Sequence, residues 1–282
     1  MSSGGNVVVL DRGNNTTLTV HIHGATIVSW RVNNQEQLFV SKQAVFDCKK
    51  PIRGGIPVVF REISLAQFGH WNVGPQHGFA RISRWNVEKP PTRLETGDVE
   101  VIFSLVDNEA TRSVWNHGFK LTYRLLLREK ELHLNVGVIN TGANDFLFHV
   151  LLHTYLKVPD VSKCLIMGLH GCMYVDKARD GAVYQETREA VNIEEFTDRI
   201  YQNTPDEHIM NNVVGGRKMR IHKYNFPDTV IWNPWVERAR EIADFGDDEY
   251  PNMVCVEAGR VSTPVHLPPG ALFEASEVLQ VM

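Results

Sequence analysis

Cysteine is sparse in this chain. Four cysteines occur among 282 residues, at positions 48, 164, 172 and 255, and no two of them form a CxxC pair. That spacing supports neither a zinc site nor a secreted disulfide framework. We therefore expect four reduced thiols.

Charge imbalance and long apolar runs are also missing. The formal net charge is −4, which argues against a broad basic face for nucleic acid, so any anion site must be local. No apolar run approaches the ~18 residues that cross a bilayer, and the N-terminal residues show no signal-peptide pattern. We expect a cytoplasmic protein that binds neither nucleic acid nor membrane. We also expect a monomer.

Helix signals are scarce, and the dominant pattern is β. Runs rich in Val, Leu, Ile, Thr and Tyr predict strands at 6–10, 16–23, 100–105, 121–127, 132–138 and 146–158. Turn sequences separate these runs, so residues 121–158 predict a three-stranded antiparallel meander. Residues 192–201 are the best helix candidate. Without repeats or a composition break, we expect one domain over residues 1–282, an all-β, large twisted antiparallel β-sandwich with few short helices.

Two titratable side chains interrupt apolar strands. His153 lies in Phe146-Leu-Phe-His-Val-Leu-Leu-His-Thr-Tyr-Leu, and Glu257 follows Met253-Val-Cys-Val. Strand alternation places His149, Leu151, His153 and Tyr155 on one face. An imidazole and a carboxylate form the minimal pair for moving protons on and off a substrate. Taken alone, His153 is more simply interpreted as a core histidine with satisfied hydrogen bonds.

The histidine spacings do not favour a metal. His149 and His153 stand four residues apart, roughly 13 Å along a strand, which is too far to share one ion. His21 and His23 share a strand face but have no third ligand nearby in the sequence. We therefore expect no metal site.

Three further segments offer polar groups suited to a ligand. Arg53 precedes two glycines, which allow the backbone to approach a ligand closely. Gln76, His77 and Arg81 bring an amide, an imidazole and a guanidinium within six positions. Asp198 opens the segment Asp-Arg-Ile-Tyr-Gln-Asn.

Taken together, the motifs resemble the aldose 1-epimerase (galactose mutarotase-like) superfamily, and most closely its glucose-6-phosphate 1-epimerase branch. They occur in the family's order and are Pro-Ile-Arg53-Gly-Gly-Ile-Pro, Pro-Gln76-His77-Gly-Phe-Ala-Arg81, Leu-Leu-His153-Thr-Tyr-Leu, Asp198-Arg-Ile-Tyr-Gln-Asn, Pro227-Asp-Thr-Val-Ile-Trp-Asn-Pro-Trp235 and Val-Glu257-Ala-Gly. The resemblance implies a sandwich of the galactose mutarotase type with a shallow sugar cleft and no cofactor. It implies His153 as catalytic acid and Glu257 as catalytic base. The substrate contacts it implies are Arg53, Gln76, His77, Arg81 and Asp198.

Arg53 and Arg81 decide the expected substrate. Guanidinium forks match phosphate oxygens, so we expect a hexose phosphate, glucose 6-phosphate, in preference to free glucose or galactose. The alternative is that both arginines form surface ion pairs. The chain departs from the branch after Phe60, where a proline-rich, Phe-Gly-containing turn is usual and Arg61-Glu-Ile-Ser stands instead. Arg61 is a further candidate phosphate ligand, or a partner of Glu62.

Other functions stay open at this point. The protein could act on unphosphorylated hexoses, or bind sugar phosphates without turnover. A retaining glycosidase would use two carboxylates, Asp198 and Glu257, but that reaction leaves His153 without a role. Trp232 and Trp235 are interpreted as core residues, because large aromatics bordered by Val and Ile are most often buried.

Overall fold

Antiparallel strands make up most of the structure, a computed structural model that describes residues 5–62 and 77–282. The chain begins with β1 (Val7–Gly13), β2 (Thr16–His21), β3 (Thr26–Val32), β4 (Gln35–Glu36), β5 (Val58–Glu62), β6 (Asn86–Arg93) and β7 (Val99–Val106). Helix α1 (Glu109–Val114) precedes β8 (Phe119–Leu127), β9 (Glu131–Asn140), β10 (Phe146–Leu152), β11 (Tyr155–Lys157), β12 (Leu165–Met167), β13 (Met173–Asp176) and β14 (Ala182–Gln185). The remaining elements are β15 (Ala190–Val191), β16 (Thr197–Tyr201), β17 (Glu207–Asn211), β18 (Lys218–Tyr224), β19 (Asp228–Asn233), α2 (Trp235–Glu241), β20 (Met253–Leu267) and β21 (Leu272–Val281).

The described strands form three sheets. A four-stranded sheet has the order β1-β2-β3-β4. An eight-stranded sheet runs β14-β13-β16-β19-β20-β10-β5, with β11 also paired to β20. A nine-stranded sheet runs β15-β12-β17-β18-β21-β9-β8-β7-β6. The two short helices and the antiparallel ladders confirm the predicted all-β sandwich with few helices. Within the described ranges, neither helix is long and apolar enough to span a membrane.

The main core lies between the two large sheets. Phe60 of β5 and Phe148 of β10 are fully buried on the inner face of the eight-stranded sheet. Their rings contact Phe119 and Phe273 of the nine-stranded sheet, with centroid distances of 5.9 Å and 5.4 Å respectively. Burying a side chain of this size contributes roughly 1.5–3 kcal/mol. The outer face of the eight-stranded sheet does not contribute to this core.

The predicted three-stranded meander over residues 121–158 is wrong. β8 pairs with β9, but the second neighbour of β9 is β21. β10 lies in the other large sheet, between β20 and β5. The turn after β9 therefore carries the chain from one sheet to the other, because β10 finds its partners far away in sequence. Local turn signals cannot reveal such long-range pairing.

The predicted helix at residues 192–201 is also wrong. Its second half is strand β16, which pairs with β13 on one side and β19 on the other. Burial alternates along β16, so that Thr197, Arg199 and Tyr201 are buried. Pairing on both edges supplies hydrogen bonds that outweigh local helix propensity. The helices lie elsewhere. Asn108 caps the N-terminus of α1, where its side chain accepts a hydrogen bond from the Thr111 amide.

Candidate active site

A cleft of about 260 Å³ opens on the outer face of the eight-stranded sheet. The strand residues of its wall alternate with the core-facing residues of the same strands, and loop and turn residues complete it. It is lined by Arg53, Val59, His77, Arg81, His149, Leu151, His153, Tyr155, Lys177, Asp198, Ile200, Val230, Trp232, Ile242, Glu257 and Val261. The four residues expected to share a strand face, His149, Leu151, His153 and Tyr155, all belong to this wall.

His153 and Glu257 lie side by side in the cleft. Nδ1 of His153 is 3.4 Å from Oε1 of Glu257, and both side chains are buried. His153 follows the end of β10, and Glu257 lies within β20, the strand next to β10. The His153 amide donates to the carbonyl of Pro57, and the Thr154 carbonyl accepts from the Val256 amide. Neighbouring strands thus fix both partners of the pair.

Burial acts on the two partners in opposite directions. It lowers the pKa of His153 well below its usual value, and the charges of His77, Arg81 and Arg53 lower it further. Burial also raises the pKa of Glu257 well above its usual value, and Asp198 adds to the rise. The cleft therefore favours a neutral imidazole beside a protonated carboxyl. This state and an imidazolium beside a carboxylate contain the same number of protons. They differ only in which group carries the transferable one.

Aromatic rings surround the imidazole. Tyr155 stacks on His153 with a centroid distance of 4.6 Å and an interplanar angle of 8°. Trp232 of β19 and His77 meet the His153 ring edge-on, at 6.2 Å and 5.6 Å. The interpretation of Trp232 as a core residue is wrong, because it lies on the cleft wall, whereas Trp235 packs on Tyr250. Rotation of the imidazole is restricted by these contacts.

Arg53 lies at the same end of the cleft as Tyr155. Its Nε donates to Asp244 at 3.0 Å, and its Nη1 donates to the Tyr155 hydroxyl at 3.4 Å. Although burial opposes the charge, Tyr155 and Asp244 together raise the pKa of Arg53 above its usual value. Arg53 is therefore a fixed cation, oriented by a carboxylate 191 residues away in sequence.

The two glycines after Arg53 hold this wall in place. The Gly55 carbonyl accepts from the Tyr155 amide at 2.9 Å, and the Gly55 amide donates to the Phe39 carbonyl at 2.7 Å. Gly55 adopts a φ of +67°, and a Cβ there would stand 1.9 Å from the Ile27 carbonyl oxygen. Only glycine fits both the conformation and the space.

Arg81 is the second cation of the cleft. It lies in the 3-10 turn Ala80–Ile82 and is 8 % exposed. Burial lowers the pKa of Arg81 to about 10; Tyr155 opposes this shift, while the nearby charge of Arg53 contributes to it. Two guanidinium groups are thus held close enough to repel each other, an arrangement that a bound anion stabilises.

Asp198 and Lys177 lie on the other wall. Asp198, on the outward-facing side of β16, is 3.9 Å from Nζ of Lys177. Burial raises the pKa of Asp198, and Lys177 partly offsets the rise. A carboxylate and an ammonium at this position can accept from and donate to ligand hydroxyls.

Most of the predicted site residues lie in this cleft. The structure brings together Arg53, His77, Arg81, His153, Asp198 and Glu257. Gln76 and the side chain of Arg61 lie outside the described part of the chain. Sequence reasoning missed Lys177 and Asp244. Trp232 was recoverable from strand parity, since it shares a face of β19 with Val230.

A larger cavity, of about 390 Å³, lies elsewhere, between residues near β4 and the segment 248–252. Its most buried carboxylate, Glu249, already accepts from the Ser41 hydroxyl and from the amides of Lys42 and Gly246. A carboxylate so fully satisfied has little capacity left for a ligand. The smaller cleft is the better candidate because its ionisable groups have shifted pKa values.

Fold and cleft together describe an antiparallel sandwich with a cluster of ionisable side chains on its outer face. The family model for aldose 1-epimerase matches residues 6–280, so the chain belongs to the aldose 1-epimerase family. It is accordingly an isomerase of the epimerase class. Membership favours an epimerase over the glycosidase and the non-catalytic sugar-phosphate binder considered above.

Relatives and solved structures agree with this assignment. A protein of Cenchrus ciliaris named "putative glucose-6-phosphate 1-epimerase" is 33 % identical over 276 residues, covering 95 % of this chain and 82 % of that protein. A protein of the same name from Escherichia coli K12 is 30 % identical, covering 86 % and 79 %. The crystal structure of "a putative mutarotase" from Salmonella typhimurium has a TM-score of 0.86 at 26 % identity, covering 98 % of this chain and 90 % of that chain.

The role of Gly55 gives a testable prediction. Gly55→Ala should destabilise the protein by about 1–3 kcal/mol more than Gly270→Ala, because overpacking against the Ile27 carbonyl adds to the backbone strain. Gly270 is the matched control, since its φ of +74° is similar but a Cβ added there would meet nothing within 4 Å. Urea unfolding gives both free energies. Equal losses in the two variants would show that the Arg53 loop has room for a side chain.

Proposed function

We propose that the protein interconverts the α and β anomers of glucose 6-phosphate, with Glu257 as base and His153 as acid. The observation that carries the proposal is the 3.4 Å approach of these two buried groups on one cleft wall that also holds Arg53 and Arg81. The names of the two relatives described above support the same substrate.

Anomer exchange needs proton transfer at two different oxygens. Glu257 accepts the proton of the C1 hydroxyl while His153 donates a proton to the ring oxygen, and the bond between C1 and O5 breaks to leave an aldehyde. Rotation about the bond between C1 and C2 presents the other carbonyl face. The two groups, now protonated carboxyl and neutral imidazole, return their protons in the opposite direction as the ring closes. The pair thus holds one proton before and after turnover.

The protonation that burial favours in the free site corresponds to one end of this cycle. Burial favours a neutral imidazole beside a protonated carboxyl, which is the state the pair reaches when the ring is open. The closed sugar therefore has to draw the proton onto His153 as its hydroxyl approaches Glu257. Tyr155 stacks on His153 and orients the imidazole for that transfer. Asp198, which also lines the cleft, orients the substrate.

The phosphate assignment rests on the two arginines. Arg53 is oriented by Asp244, and its charge adds to that of Arg81 in a wall largely removed from water. A phosphate dianion gains charge-assisted hydrogen bonds from both groups and relieves their mutual repulsion. A neutral hexose gains neither. His77, whose ring meets that of His153, can contact sugar hydroxyls from the same cleft.

Removing either member of the pair should slow anomer exchange. We expect His153→Ala and Glu257→Gln each to lower the rate for glucose 6-phosphate by about 10²–10⁴-fold, the usual contribution of a positioned acid or base. Magnetisation-exchange NMR between the α and β signals measures the rate above the uncatalysed background. His266→Ala and Glu274→Gln, at exposed positions, are the matched controls. Unchanged exchange in the two cleft variants would eliminate the assignment.

Removing an arginine should act selectively on the phosphorylated sugar. Arg53→Ala and Arg81→Ala should each weaken kcat/KM for glucose 6-phosphate about 10- to 100-fold, since a hydrogen bond to a charged group contributes ~1.5–3 kcal/mol. The rate with free glucose, measured in parallel, should change far less. Arg238→Ala, at an exposed position on α2, is the control. Equal losses on both sugars would mean that the arginines do not bind phosphate.

The pH dependence of the exchange rate tests the shared proton. Because burial lowers the pKa of His153, a second proton should bind the pair only well below about pH 6.5, the usual pKa of histidine. The rate at saturating substrate should therefore stay level as the pH falls through about 6.5. Loss at alkaline pH should follow the raised pKa of Glu257. An acid-side decline centred near that usual histidine value would show that His153 titrates like an exposed imidazole.

A further inference from the structure

Cys255 lies directly beside the proposed catalytic pair. It precedes Glu257 by two residues on β20, so strand alternation turns both side chains to the same face. Cys255 is also opposite Tyr155 on one side and Trp232 on the other in the strand ladders. It is fully buried beneath the cleft. Neither the proposed reaction nor the sugar contacts use its thiol.

His153, Cys255 and Glu257 form a compact set of metal-binding atoms. One ligand atom from each residue lies within 4.8 Å of the others. Among the described residues this is the single such group of three. Nδ1 of His153 makes no hydrogen bond within that part of the chain, and its 3.4 Å distance to Oε1 of Glu257 is close to the separation of two ligands in a tetrahedral site.

The donor chemistry selects a class of cation. A thiolate, an imidazole and a carboxylate suit Zn²⁺ and other thiophilic divalent ions, whereas Mg²⁺ and Ca²⁺ require mostly oxygen ligands. Three protein ligands with an open fourth position are sufficient for a bound Zn²⁺. A thiolate and a carboxylate together balance the two positive charges of the ion. The occupied site is then neutral, which burial favours.

We propose that His153, Cys255 and Glu257 form a binding site for a thiophilic divalent cation whose occupancy excludes the sugar. The ion enters through the cleft, which His153 and Glu257 line, and Cys255 closes the site from beneath. Binding replaces protons on the thiol and the carboxyl. Arg53 and Arg81 oppose the ion by charge, and Asp198 favours it. The inhibitory consequence rests on the proposed function, whereas the binding itself does not.

Cadmium binding to the full-length protein tests the site without an activity measurement. Cd²⁺ bound to a thiolate absorbs in the ultraviolet, and we expect one equivalent to give this band in the wild-type protein. Cys255→Ala should remove the band and weaken binding at least about 10-fold, the loss seen on changing even an outer partner of a metal site. Cys255→Ser keeps the volume closer to that of cysteine and should behave in the same way.

Matched controls separate this thiol from two of the other three. Cys164→Ala removes another buried thiol, and Cys48→Ala removes the exposed one. Both variants should keep the one-equivalent band. The proposal is overturned if the band is absent from the wild-type protein, or if it persists unchanged in Cys255→Ala and Cys255→Ser.

Competition connects the metal to the sugar. Glucose 6-phosphate should displace Cd²⁺ and reduce the band, and Zn²⁺ should slow anomer exchange reversibly, with recovery on adding a chelator. Cys255→Ser at the same metal and sugar concentrations corrects for cation bound by the phosphate itself. If Cd²⁺ binds through Cys255 while exchange continues unaffected, exclusive occupancy fails, and the roles of His153 and Glu257 fail with it. Loss of the band alone leaves those roles intact.

Discussion

The site depends on the removal of one imidazole and one carboxyl from water at a separation of 3.4 Å. Ionising His153 and Glu257 separately would leave buried charges, which a protein interior strongly disfavours. The neutral forms of both groups avoid these charges, and burial shifts the two pKa values in the directions that favour those forms. Burial therefore sets the electrostatics of the cleft. The cleft lies on the outer face of the eight-stranded sheet, away from the core between the two large sheets.

The structure connects this pair to the cationic end of the cleft through Tyr155. The Tyr155 ring stacks on His153, and its hydroxyl accepts from Arg53. The backbone amide of Tyr155 is held by the carbonyl of Gly55, two residues after Arg53. One side chain thus links the His153–Glu257 pair to the guanidinium of Arg53, so that the proposed acid–base groups are fixed relative to the proposed phosphate site.

Sequence reasoning succeeded where local chemistry decides the structure and failed where distant partners do. Strand alternation predicts a shared face for His149, Leu151, His153 and Tyr155, and all four line the cleft, although β10 ends at Leu152 and β11 begins at Tyr155. The helix predicted over residues 192–201 is a strand because β13 and β19 pair with it on both edges. Asp244 carries no local signal, because it becomes a partner of Arg53 only when residues far apart in sequence meet.

By itself the sequence determined the β architecture, the family resemblance and the residue types of the cleft, since periodicity and short motifs are local properties of a chain. Only the tertiary structure decided that β10 leaves the sheet of β8 and β9. It alone decided that Cys255 stands beside His153 and that burial shifts the pKa values of the pair in opposite directions. These properties depend on distances and on exclusion of water, which arise only when strands from distant parts of the chain pack together.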